Sequence, residues 1–467
     1  MRGKPILALA FVAIIGVALS FPLRDPGRSG DSRRLSAEAT PTSAPQTPDE
    51  TPPSPEPSET KSPEKDPPED EPADTDRLTG TYPKKCLSPA SPPEGSGLLA
   101  VNQGNGIEIS DINGDPTATI EDRFPFKWSP SGRYLMGRSG RVYDSGGDET
   151  ARLFDSGSVS WAWSPIADCI VFASLEGGVS TFTPGSGSVK LHNGLMSRFS
   201  FSPSGGDLAY VEDDPDDQKA HLWVASLASG RARRLTTLDL ASGEEVVLAG
   251  WTPDASHVLF WRGAPDALLR TGGSLFAASA DNEVKRLARV VAHRDFIASC
   301  GEELLAVTGG GSRLKANSKR LAVLEAGQSA RYLTPAEAHD ISPSCSPDST
   351  HVAVARSPQA DGRGPASLTV LDLSGNVVFA SEQTEATDAY PMWGRGDAGL
   401  LFIRQAPGEG VPELWQISQT TPAQPTGLSF EGIRRDPGIF RDSWAHFLDW
   451  SADQPTGLSA LSEEEES

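Results

Sequence analysis

One turn recurs along this chain and limits its fold more than any other feature. An aromatic residue, replaced once by Cys, is followed by Ser or Thr, then Pro, in most copies then Ser or Asp, and soon after by an apolar strand. Copies stand at Trp128-Ser129-Pro130, Trp163-Ser164-Pro165, Phe201-Ser202-Pro203, Trp251-Thr252-Pro253 and Cys345-Ser346-Pro347, with degenerate ones at Cys300 and Trp393. They lie about 35–50 residues apart, a period that suits a unit of four short strands. The turn has a physical basis: Pro fixes one dihedral, Ser or Asp bonds its own backbone, and Gly132 or Gly205 permits a left-handed position. The strands that follow are runs of β-branched, aliphatic or aromatic residues, as in RYLMG and SHVLFW, which suits a strand covered on both faces.

A second half-motif follows each anchor, clearest from His221 to Thr236: an alternating strand, a turn at Gly230, and another strand. That pattern is a hairpin. One such four-stranded antiparallel unit would expose two apolar faces, so radial stacking into a β-propeller is the economical arrangement. The segment from Leu98 to Ile120 has the last three strands of a unit but no preceding turn, whereas Phe447 to Asp453 has a first strand with nothing after it. Joining the two completes one unit from opposite ends of the body and removes two free edges. The expected fold is all-β: a single propeller of eight blades, with seven as the alternative, closed by the carboxyl-terminal strand around Trp450.

These turns, together with LWVASLASGRARRLT after His221, resemble the TolB-like group of WD40-like β-propellers with PD40-type repeats, over roughly residues 97 to 455. The resemblance implies the propeller. It points to periplasmic translocation-complex partners, lipoprotein partners and amino-terminal modules of peptidases. Neither the α/β domain that precedes the propeller in TolB nor a following peptidase domain is expected here.

At the amino terminus, Arg2 and Lys4 precede an apolar run from Ile6 to Leu19, the size of a signal peptide's apolar segment. Residues 5–23 would equally serve, uncut, as a membrane anchor. The organisation read from sequence is a signal peptide or signal anchor over 1–23, a disordered Pro/Glu-rich spacer over 24–80, the propeller over 81–455 and an acidic disordered tail over 456–467. The spacer has too little apolar surface to repay backbone ordering. Extracytoplasmic placement, membrane-anchored or secreted, permits disulfides among Cys86, Cys169, Cys300 and Cys345, with three full pairings open. Cys300 and Cys345 occupy equivalent repeat positions, either as two small buried side chains or as a bonded pair.

The chain carries 63 acidic against 41 basic residues, a net charge of -22, so nucleic acid is not an expected partner. No HExxH, phosphate-cradling or Gly-x-Ser-x-Gly pattern stands in a supporting context. Two acidic loops carry oxygen ligands for calcium: Asp111 to Asp115, which equally fits an Asx-stabilised hairpin turn, and Asp213, Asp214, Asp216 and Asp217. A binding surface is expected at the insertion with Arg434, Arg435, Arg441 and Trp444. The residues expected to form the repeat turns and core are Trp128, Pro130, Trp163, Pro165, Phe201, Pro203, Trp251, Pro253, Cys345, Pro347, Trp393 and Trp450. The functional expectation is a non-catalytic binding or scaffold propeller, a monomeric ring that recognises a protein, peptide or cell-envelope polymer through its loops or channel mouth. The alternative is an exported hydrolase or lyase with its site at the channel.

Overall fold

A computed structural model describes residues 78–91, 97–103, 106–122, 126–154, 160–173, 178–194, 196–214, 216–293, 296–310, 317–359, 365–394, 399–408, 410–418, 422–430 and 448–450. The segment 5–23, most of the spacer and the acidic tail lie outside them. Among the described residues no helix is long and apolar enough to cross a membrane.

The described strands form six four-stranded sheets and one of eight strands. The large sheet is two four-stranded units joined by one bridge, Val290 to Thr308, so the strands group into eight units, numbered I to VIII along the chain. Unit II is Lys127–Trp128, Tyr134–Met136, Arg141–Asp144 and Glu149–Arg152. Unit III is Trp161–Trp163, Ile170–Ala173, Val179–Thr183 and Gly187–His192; unit IV is Ser197–Phe201, Asp207–Asp214, Lys219–Ser226 and Ala232–Asp239. Unit V is Glu245–Trp251, His257–Gly263, Gly273–Ser279 and Val284–Val290. Unit VI is Ile297–Cys300, Glu303–Gly310, Asn317–Leu324 and Arg331–Tyr332. Unit VII is Asp340–Cys345, His351–Arg356, Ser367–Asp372 and Val377–Ala380; unit VIII is Thr387–Trp393, Leu400–Gln405, Glu413–Ile417 and Gln424–Ser429. Pairing within each is antiparallel and sequential, which makes the molecule a β-propeller.

The recurring turn behaves as its residues require. In unit II the Gly132 N–H donates to Ser129 O at 2.8 Å, and Gly132 sits at φ 69°. Units IV, V and VII repeat the bond at Gly205, Ala255 and Ser349, and the last two hold the left-handed conformation without being glycine (φ 60° and 58°). Second strands such as His351–Arg356 are buried along almost their whole length, whereas fourth strands such as Glu149–Arg152 face solvent. The first strands are therefore inner and the fourth outer.

The anchor tryptophans do more than fill space. The indole N–H of Trp163 donates to Lys127 O at 3.0 Å, that of Trp251 to Ser200 O at 3.1 Å, and that of Trp393 to Ser344 O at 2.9 Å. Each acceptor lies one residue before the preceding unit's anchor, so these bonds lace inner strand to inner strand. Between units VI and VII, where both anchors are cysteine, a Cys300–Cys345 disulfide makes the link.

Unit I is composite, as expected: Leu448–Trp450 pairs antiparallel with Leu99–Asn102, ahead of Ile107–Ser110 and Pro116–Ile120. The buried Asp449 carboxylate accepts from Lys127 Nζ and from the Trp128 backbone N–H, both at 2.7 Å. Asp449→Ala leaves that N–H without its acceptor. We expect a loss of about 1–3 kcal/mol, with faster amide exchange concentrated in unit I; an unchanged denaturation midpoint would refute the role.

Before unit I the chain forms a strap over units III and IV. Leu78 N–H donates to Gly230 O at 2.8 Å and Gly80 N–H to Leu191 O at 3.1 Å. Tyr82 is buried, which pushes its phenol pKa up. Cys86 bonds to Cys169, and Ala90 N–H donates to Ile166 O at 2.6 Å.

Candidate functional site

Sequential pairing gives the propeller two unlike faces. One carries the short turns after first and third strands, here called the turn face. The other carries the connections between units and the loops after second strands, here called the loop face.

On the turn face, several acidic side chains are held by their own backbone. Asp111 Oδ1 accepts the N–H groups of Asn113 (2.9 Å) and Asp115 (3.0 Å), and Asp372 Oδ1 accepts those of Ser374 (2.9 Å) and Asn376 (2.8 Å). These hydrogen bonds, led by Asp115 N–H for Asp111 and the Asn376 amide for Asp372, hold both carboxyls below their ordinary pKa. The loop from Asp111 is thus an Asx-stabilised hairpin turn. The other calcium candidate lies at the loop-face end of unit IV. There Asp214 accepts the Asp217 N–H at 3.2 Å, and Lys219 Nζ meets Asp217 at 3.2 Å. Asp213 and Asp214 end a strand and Asp216 is exposed. Among the described residues no three His, Cys, Asp or Glu side chains gather as a metal ion would need.

Two turn-face sites carry hydrolase-like residue types. In unit V, Ser256 Oγ donates to Asp254 at 2.8 Å and lies 2.7 Å from His257 Nδ1. In unit VII, Thr350 Oγ1 lies 2.7 Å from His351 Nδ1, and Asp348 accepts from Ser346 Oγ at 2.6 Å. The Ser346 and Thr350 hydrogen bonds hold the Asp348 carboxyl at about 2. A nucleophile triad needs the carboxylate on the far side of the imidazole, orienting it. Here the Asp254 carboxylate binds the hydroxyl itself, and both sites are exposed copies of one repeat turn. They serve the turn.

The loop face at units VII and VIII is organised differently. Arg356 grips the buried Asp340 through two bonds, 2.6 and 3.0 Å, and Arg404 grips the buried Asp388 at 2.6 and 2.8 Å. Both Asp residues stand near the start of a first strand, opposite an Arg near the end of the second. Such forked pairs fix geometry as well as charge. Burial pushes the Asp388 carboxyl above its ordinary pKa, and Arg404 opposes that rise. Arg404 also lies 4.3 Å from the Trp415 ring centroid, a cation–π contact. Asp388 N–H donates to Ala366 O at 3.0 Å, and Ser357 N–H to His339 O at 3.0 Å, tying both ends of the connection between the second and third strands of unit VII to the starts of the inner strands of units VIII and VII. His339 Nδ1 is buried without a partner. Ser342 and Tyr390, three residues before their anchors, hold φ 56° and 50° at register shifts of the inner strands. Bulges of this kind re-aim side chains beside binding sites. A related element occurs in unit IV, where Arg198 (φ 51°) pairs with Glu245 and donates to Val246 O at 2.7 Å.

Arg434, Arg435, Arg441 and Trp444 lie outside the described residues, as does the side chain of Trp450. The Asp340–Arg356 and Asp388–Arg404 pairs were not picked out from sequence. Their signal was present as an identical separation of 16 residues, Asp to Arg, in two consecutive repeats.

These strands and turns define a β-propeller. No family model matches the chain, and no curated protein does. Among solved structures it is similar to TolB from Acinetobacter baumannii, at 18% identity over 65% of this chain and 68% of that one, TM-score 0.33. It is similar also to a eukaryotic initiation factor, at 14% identity over 77% and 91% of the two chains, TM-score 0.48. Porphyromonas gingivalis dipeptidyl peptidase 4 is a third, at 12% identity over 72% and 52%, TM-score 0.42.

Proposed function

We propose that this chain is an extracytoplasmic binding propeller whose loop face, at units VII and VIII, recognises a protein, peptide or envelope component. The observation that carries the reading is the contrast between the faces. Acidic and hydroxyl groups such as those of Asp111, Asp254, Asp348 and Asp372 close their own turns on the turn face, whereas the loop face of units VII and VIII holds two forked ion pairs beside left-handed inner-strand residues. Such pairs make the rim rigid and leave partly exposed guanidinium groups at it, which suits recognition of a polar partner. Placement outside the cytoplasm is supported by the disulfides: all four cysteines are paired, which fits an oxidising compartment.

The test is site-specific photo-crosslinking in the producing cell. A photoreactive residue replacing Gln359, exposed in the loop-face connection of unit VII, is expected to yield a discrete adduct; one replacing Asp254, exposed on the turn face, is not. Adducts from position 254 alone, or from neither, would overturn the reading.

A further inference from the structure

We infer that the outer strand of unit VII is a second docking surface, distinct from the loop face, that receives an extended apolar segment of another protein flanked by basic residues. Four of the seven large apolar side chains exposed among the described residues gather there: Val377 (55%), Val378 (51%), Phe379 (38%) and, on the neighbouring outer strand of unit VI, Tyr332 (47%). The two units meet at their outer ends: Arg331 Nη1 donates to Leu373 O at 2.8 Å, and the turn at Gly375 lies so close to Leu333 O that a side chain there would clash with it.

Outer strands are open edges, and proteins ordinarily guard them with charge or proline. Every other outer strand of this propeller is so guarded: by Pro116 in I, Glu149 in II, Lys190 in III, Arg233 in IV, Lys285 in V, Arg331 in VI and Pro425 in VIII. Val377–Ala380 alone has neither, and all four of its residues are exposed. Clustered apolar exposure of this kind marks an interaction site.

Charge decides the occupant. Glu382 and Glu385 are exposed just beyond the strand, and neither has a salt bridge among the described residues. Of the described cations at this surface, Arg331 is paired with Glu303 at 2.9 Å, and Arg320 lies stacked 3.6 Å over Tyr332. A second copy of this chain would bring the same acids and another net charge of -22 to the contact, which disfavours self-association. A basic-flanked apolar segment meets both features.

The probe is a fluorescein-labelled heptapeptide alternating lysine with valine, compared with one alternating glutamate with valine, titrated against the full chain by anisotropy. The lysine peptide is expected to bind at least tenfold more tightly. Val377→Lys with Phe379→Lys is expected to weaken it at least tenfold. Val189→Lys with Val284→Lys adds the same charge on the exposed outer strands of units III and V and is expected to leave binding within twofold. If the first double variant melts early, Val378→Lys alone makes the same comparison. Equal binding by wild type and edge variants, equal loss in both double variants, or a wild-type dimer that the edge variant dissolves would each overturn the inference. Crosslinking from Gln359 is independent of all these outcomes, so the two sites fail separately.

Discussion

Replacing Cys86 and Cys169 together by serine is expected to lower the unfolding free energy by about 2–5 kcal/mol and to release the strap while the propeller stays folded. The bond spans 83 residues, and a link across so long a segment removes much of the unfolded chain's freedom. Both sulfurs are buried, among side chains that include Leu78, Tyr82, Val171, Val179 and Leu191. With the bond gone, the strap is held chiefly by its apolar burial and by hydrogen bonds such as those of Leu78, Gly80 and Ala90. The measurements are a denaturant midpoint and limited proteolysis, with cleavage appearing first between residues 78 and 91. An unchanged midpoint together with unchanged cleavage would show that the bond adds nothing.

The second large effect concerns Lys319, on the third strand of unit VI. It is only 2% exposed, with its ammonium 5.2 Å from the Phe296 ring centroid and the buried His293 edge-on to that ring. Burial pushes its pKa down from 10.5 to about 8. The folded protein therefore releases this proton near pH 8, whereas the unfolded chain keeps it until near 10.5. Between those values the unfolded state binds more protons, so the contribution of Lys319 to stability rises with pH. Below pH 8 the folded state carries the full cost of a buried cation, on the order of 3 kcal/mol, partly offset by the aromatic contact. Lys319→Met is expected to stabilise the protein by about 1–3 kcal/mol at pH 7, with the advantage over wild type shrinking towards pH 10.5. Urea midpoints of both proteins at pH 7 and above 9 provide the check. A difference that does not change with pH would exclude the titration of Lys319 as its cause.

Much of the fold was legible in the residues. The aromatic–Ser–Pro anchors, the hairpins after them and the incomplete repeats at Leu98 and Phe447 led to four-stranded units with one completed from opposite ends, and Leu448–Trp450 does pair with Leu99–Asn102. The loop at Asp111 was legible as an Asx turn because its bonds run two and four residues along the chain. The candidate site was much less legible. The shared 16-residue spacing of Asp340 and Asp388 to an arginine is a faint signal in sequence, and what gives it meaning is burial beneath that arginine on the paired strand. Lys319 likewise carries no local mark of its environment.

Periodic pattern and turn chemistry act between neighbours in the chain, so the repeat, its strand order and the composite first unit followed from sequence alone. Which cysteines bond, which carbonyl each anchor indole meets, which outer strand is left unguarded and which lysine loses its water depend on unit packing against unit. The disulfides and the indole bonds join residues from 36 to 83 positions apart. Only the tertiary structure chose them, because burial and partner geometry do not exist until the units stack.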